Sequence, residues 1–160
     1  MIGRRVRCLT GWLLDRLAAL THDNGTPMVR IYGPRDTTRR GGTVAFNLLD
    51  PTGAVVDERL VATESATAGF SLRTGCFCNP GAGETAFGIT RAHLRGAHRH
   101  GATSIEGYLA LLRLPSGGAI RVSFGIVSTI DDVQRFLSFV EHTYRNRRNS
   151  TNGLIARTHC

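Results

Sequence analysis

Lysine is absent from all 160 residues, although the chain carries a formal net charge of +8; its 20 Lys-plus-Arg positions are all arginine. An aldehyde cofactor is held as a Schiff base by a lysine amine, so chemistry of that kind cannot be completed by this chain alone. Also missing is any apolar run near the roughly 20 residues of a membrane span. No secretory signal is seen ahead of the first apolar stripe, so a cytoplasmic protein with no membrane partner is the expectation. The four cysteines, Cys8, Cys76, Cys78 and Cys160, occur without such a leader and argue against a disulfide framework. The arginines cluster only locally, at Arg4, Arg5 and Arg7, at Arg39 and Arg40, and at Arg145, Arg147 and Arg148. They come with no stacking aromatics and no recognition motif, so a basic module that binds nucleic acid is an alternative motivated by charge alone.

What is present reads as one domain, long enough to bury about 70% of its unfolded surface. Val6, Leu9, Leu13, Leu17 and Leu20 recur at three- and four-residue steps and predict a helix that ends near Asn24-Gly25. Strands follow at Met28 to Tyr32 and Thr43 to Leu49, the second turned by Asp50-Pro51-Thr52-Gly53. Helical spacing from Val55 to Ala68 is closed by Gly69, and a strand is expected at Phe70 to Arg73. Its alternation sends Phe70 and Leu72 to one face and Ser71 and Arg73 to the other, with Arg73 at the edge of the loop Thr74 to Glu84.

A helix at Ile105 to Leu112 and a strand at Ala119 to Ile126 follow, the latter with Ile120, Val122, Phe124 and Ile126 inward and Arg121 and Ser123 outward. The last helix opens at Ser128 or Thr129 and buries Val133, Phe136, Leu137, Val140 and Tyr144. Residues 1–146 form the expected domain and 147–160 a disordered tail. Without regular strand-helix alternation or a Gly-rich phosphate loop, the fold class is α+β, a small and mainly antiparallel sheet with helices packed on one face.

The loop after Arg73 is where chemistry would sit. A thiol attacks as thiolate, a guanidinium nearby favours that form, and glycines at 75, 81 and 83 would let the loop move Cys78. From spacing alone an ordinary buried thiol is the simpler reading of Cys78. Half of a zinc site made by Cys76 and Cys78 with His93, His98 or His100 lacks a second cysteine pair, and no metal is assigned. Arg121 on an outward strand face could grip a carboxylate with two parallel hydrogen bonds, but a solvent-facing arginine is the simpler reading of both Arg121 and Arg73.

A resemblance goes further than spacing. Ser71-Leu72-Arg73-Thr74-Gly75-Cys76-Phe77-Cys78-Asn79-Pro80-Gly81 resembles the cysteine loop of molybdenum-cofactor sulfurases within the class V aminotransferase and cysteine desulfurase group. Ile31 to Pro34, Arg40 to Asn47, Arg121 to Gly125 and Asp132 to Leu137 match the same group in order, covering about Val6 to Tyr144.

The resemblance implies the C-terminal small domain of a fold type I, pyridoxal-phosphate enzyme whose cofactor lysine lies on a preceding domain. Cys78 would accept sulfur from substrate cysteine as a persulfide, releasing alanine. Arg121 would bind the substrate carboxylate, and Arg73 would orient the loop or the thiolate. The implied partners are the cofactor-bearing domain or subunit, a second copy in a homodimeric complete enzyme, and an unidentified sulfur acceptor. An aminotransferase or carbon-sulfur lyase with the same small domain is the alternative within the group. The chain alone is expected to be inactive.

Overall fold

The computed structural model describes residues 1–77, 79–99, 101, 104–112, 114, 116–150 and 153–154. Cys78, His100 and Cys160 therefore lie outside the described residues. The elements run α1 (Ile2–Ala19), β1 (Val29–Tyr32), β2 (Thr43–Leu48), α2 (Glu58–Thr67), β3 (Arg73–Cys76), α3 (Pro80–Phe87), α4 (Arg91–Arg99), α5 (Ile105–Leu111), β4 (Gly118–Ser123) and α6 (Ile130–Tyr144). The four strands form one antiparallel sheet in the order β1-β2-β4-β3. No described helix is long and apolar enough to cross a membrane.

Period-two alternation sorts the sheet into two faces. Val44, Phe46, Leu48 and Ile120 point to a single core shared with Leu13, Leu14 and Leu17 of α1, Val61 of α2 and Val133, Phe136 and Val140 of α6. Helices α1, α2 and α6 thus cover one face, as the α+β reading requires. The α6 residues Val133, Phe136, Leu137, Val140 and Tyr144 are all buried, and Thr129 caps the helix in a reciprocal capping box with Asp132.

Where boundaries differ from the sequence-based expectation, hydrogen bonding gives the reason. Helix α1 stops at Ala19 because the chain reverses within 21–27: His22 N–H donates to Thr26 O at 2.9 Å and Gly25 adopts φ +80°. Helix α2 starts at Glu58, after Val55 bridges Leu49 and Asp57 accepts from Arg59 N at 2.9 Å as the N-cap. At its other end Gly69 N donates to Ala66 O at 3.0 Å and Phe70 N to Ser65 O at 2.8 Å, the paired bonds of a Schellman motif. That motif consumes the Phe70 amide, so β3 begins three residues later than expected, at Arg73. The sidedness survives, since Phe70 and Leu72 pack on the core while Ser71 and Arg73 are exposed.

Strand β4 ends at Ser123 because Phe124 N–H turns to Gly42 O at 2.9 Å and Ser128 closes a turn onto Gly125. Ile126, expected inward, sits at the tip of that turn and is 67% exposed.

Contacts continue past residue 146. His22 is buried, and its Nε2 donates to Leu49 O at 3.0 Å, which leaves Nδ1 to accept from Asn146 N at 3.1 Å. Tyr144 OH donates to Glu64 at 2.6 Å, and Arg147 pairs with Glu64 at 2.8 Å. Burial, and then Glu64 itself, push the Tyr144 hydroxyl well above its ordinary range. Asn149 N donates to Asp50 at 3.2 Å, so held contacts extend three positions beyond the boundary expected at 146.

Asp50 organises the turn after β2. Partial burial opposes its charged form, but bonds from Thr52 Oγ1 at 2.6 Å, Asn149 N at 3.2 Å, Thr52 N at 2.8 Å and Ala54 N at 3.1 Å outweigh that and hold the carboxyl below its ordinary value of 3.8. A depressed acid stabilises the fold above its unfolded value and loses that contribution as pH falls through the folded value. Acid titration of Asp50→Asn is expected to show a flatter stability profile than the parent below about pH 4, where the gap between the two closes as pH falls, and a constant gap above it. Parallel profiles throughout would remove Asp50 from the account.

Candidate functional site

The second face of the sheet carries the residues singled out by sequence. The registers Tyr32↔Ala45, Ala45↔Arg121 and Arg73↔Arg121 place Tyr32, Ala45, Arg121 and Arg73 in one lane across all four strands. In the next lane toward the strand end, Thr43 Oγ1 and Ser123 Oγ share a hydrogen bond at 2.9 Å. Arg121 is half-buried and Arg73 exposed. Neither forms an ion pair among the described residues. Like charges directly opposite on neighbouring strands repel, so this pair costs stability unless an anion lies between or beside them.

At the other end of the same strands the cysteine loop begins. Cys76 pairs with Gly118, three positions along β4 from Arg121, about 10 Å at strand spacing. The structure thus brings Arg73 to Arg121, and sets it away from Cys76 instead of at the mouth of the loop. Cys76 is disulfide-bonded, so at least one bridge exists where the cysteine content argued against a framework. Cys8 is exposed and free. A Cβ on Gly118 would approach Gly75 backbone at 2.8 Å and the Glu58 carboxyl at 2.9 Å, so only glycine lets β3 close onto β4 here. Glu58 and Ser116, both buried, are hydrogen-bonded beneath this crossing.

Beyond the position of Cys78, Asn79 caps α3, its side chain accepting from Ala82 N at 3.4 Å, with Pro80 at the first turn and Gly88 in the left-handed conformation at the end. The sequence pattern here reads as loop because glycines dominate; the Asn79-Pro80 pair is the start signal it offers. Helix α3 lies over the second face. Its Phe87 meets Phe77 at 6.0 Å and Tyr32 at 6.1 Å, and Phe77 meets Tyr32 at 5.7 Å. The Tyr32 hydroxyl donates to Asn47 at 2.7 Å, and Asn47 donates to Gly118 O at 3.0 Å. Burial raises the Tyr32 pKa, against the pull of the Arg30 guanidinium beside it. None of Tyr32, Asn47, Phe77 and Phe87 was singled out by chemistry, because their grouping depends on strand register.

Among the described residues no group of three or more His, Cys, Asp or Glu could hold a metal ion. His93 is engaged locally, its Nδ1 3.3 Å from Thr90 N at the start of α4.

No protein-family model matches the chain. In structure it is similar to an apo cysteine desulfurase from Thermococcus onnurineus NA1, with a TM-score of 0.54 and 20% identity over 89% of this chain and 26% of that one. The fold is therefore that of a fold type I C-terminal domain, α+β with a four-stranded antiparallel sheet. In sequence it is 38% identical over 146 residues to molybdenum cofactor sulfurase of Drosophila melanogaster, covering 89% of this chain and 19% of that protein. The Solanum lycopersicum sulfurase is 36% identical over 143 residues (89% and 17%), and the Homo sapiens sulfurase 36% over 134 residues (79% and 14%). These matches fit a C-terminal domain of a class V aminotransferase-like sulfurase. It spans about a fifth of the length of the curated relatives it matches.

Proposed function

We propose that this chain is the sulfur-accepting half of a cysteine desulfurase or sulfurase: Cys78 receives sulfur from substrate cysteine and carries it as a persulfide, while Arg121 holds the substrate carboxylate. The observation that supports it most is the Arg121 and Arg73 pair, two cations side by side on the face beside the cysteine loop, neither ion-paired to a carboxylate among the described residues. An arginine fork suits a planar carboxylate.

Pyridoxal phosphate is the cofactor that the fold implies. The residues of this chain do not fit it as a complete site, because no lysine is present to hold it. Cleavage of the carbon-sulfur bond is accordingly assigned to a separate segment bearing that lysine, the proposed partner of this domain in a cytoplasmic, homodimeric enzyme. The role of this chain is to bind, orient and receive.

The test combines the purified chain with a separately produced cofactor domain of a relative. Arg121→Lys is expected to raise KM for cysteine by at least about tenfold with a smaller change in kcat, since a point charge replaces a two-pronged donor. Unchanged KM would remove Arg121 from carboxylate binding. Retained sulfur release with Cys78 replaced in a complete relative would favour the aminotransferase or lyase chemistry instead.

A further inference from the structure

A groove of about 810 Å³ runs between the β1 side of the sheet's second face and helix α3, a volume suited to a small molecule. Tyr32 and Phe77 form its aromatic wall, Ala45 lies on the sheet side, and Ala82 and Ala86 face it from α3. The Tyr32 and Phe77 rings stand 5.7 Å apart at 85°, and Phe87 packs edge-on to both, which fixes the corner they make. A right-angled corner presents a ring face beside a ring edge. That is the complement of a flat aromatic guest, which stacks on one ring and receives the edge of the other.

The polar recognition is one-sided. Among the described residues, Arg30 is the only charged side chain lining the groove. Its charge opposes the burial-driven rise of the Tyr32 pKa, and it is ion-paired to no carboxylate among the described residues. The other polar side chains are engaged locally: Asn79 with Ala82 N at 3.4 Å, Thr85 with Gly81 O at 2.8 Å, and the Tyr32 hydroxyl with Asn47 at 2.7 Å.

We propose that this groove is a binding site for a flat aromatic small molecule carrying an anionic group, with the ring in the Tyr32–Phe77 corner and the anion on Arg30. A lone exposed guanidinium holds a simple anion weakly in water, and a purely apolar guest would leave Arg30 unused, so both elements belong to one ligand. Phe77 and Asn79, which flank Cys78 in sequence, both line the groove, so its occupant lies beside the cysteine loop. The site does not depend on the sulfur-transfer reading, and its test does not use Cys78.

The test titrates the full chain, isotopically labelled for amide NMR, with quinoline-2-carboxylate, neutral quinoline and cyclohexanecarboxylate. Quinoline-2-carboxylate is expected to bind about tenfold or more tighter than either comparator, with shifts centred on Gly33, Ala82 and Ala86. Arg30→Gln should abolish the advantage over quinoline. Ala82→Leu, at an exposed position, should weaken both aromatic probes while circular dichroism and the melting temperature stay constant. Equal binding of cyclohexanecarboxylate would overturn the site, as would shifts centred on Arg73 and Arg121 or an Arg30→Gln variant that binds like the parent. Concentration-dependent self-association without probe binding would assign the groove to a second copy of the chain and overturn it equally.

Discussion

Cys78→Ala is expected to abolish sulfur transfer in the reconstituted mixture, by roughly a thousandfold or more, because removing a nucleophile removes the covalent route itself. Compared under reducing conditions that open the Cys76 disulfide, the same change should leave the fold intact: Cys78 is preceded by the last β3 residue and Phe77, and the sheet is held by pairings that end at Cys76 and Gly118. Thermal unfolding of the variant should therefore match the parent, and the substrate-binding contribution of Arg121, ten or so Å along the strand from that end, should persist. Transfer assays run under reducing conditions with Cys8→Ala as control would separate this site from the exposed thiol on α1. Equal loss on replacing Cys8 would place sulfur on the wrong cysteine for this account.

Phe46→Ala is expected to cost about 3–5 kcal/mol, the range for deleting a buried phenylalanine. Phe46 is fully buried in central strand β2, pairs with Ile31 on one side and Ile120 on the other, and its ring meets Phe136 of α6 at 6.2 Å. Removing it opens the contact between sheet and helices at the middle of the molecule. A domain of this size has about 5–15 kcal/mol in all, so the variant should unfold at a much lower denaturant midpoint. The slope of the transition should change little. Ile126→Ala provides the contrast: its side chain is 67% exposed at the turn after β4, and its cost should fall within about 0.5 kcal/mol. Equal effects at the two positions would contradict the placement of the core.

Those two residues also mark how far the sequence could be read. Phe46 and Ile126 both sat at inward positions of an alternating run, and only Phe46 is inside. Alternation reports sidedness as long as the strand lasts, but it does not report where the strand stops. That was decided by the Phe124 amide turning to Gly42 and by Ser128 closing the turn on Gly125. The same limit moved β3: Phe70 and Leu72 took the expected face, yet the Schellman bonds at Gly69 engaged the Phe70 amide and shifted the strand to Arg73. Helix α6 was legible residue by residue because its apolar stripe, its capping threonine and its first-turn acids all pointed to one answer.

The site was legible in its parts and not in its arrangement. Arg73, Cys78 and Arg121 were recognisable from motif, and Arg121 does lie on the outward face of its strand. Their mutual placement depended on register. Arg73 was expected beside the loop and instead stands directly opposite Arg121, because β3 begins at Arg73 and runs antiparallel to β4. The Tyr32, Phe77 and Phe87 cluster joins three segments that are distant in sequence, and no local pattern announces such a meeting.

The most direct test of the central claim follows labelled sulfur. The chain, reduced and mixed with a lysine-bearing cofactor domain from a relative and sulfur-labelled cysteine, would be quenched during turnover and digested for mass spectrometry. Label retained as a persulfide on the peptide containing Cys78, absent when the cofactor domain is omitted, is the predicted result. Label confined to the cofactor domain, with none on Cys78 while alanine accumulates, would contradict it.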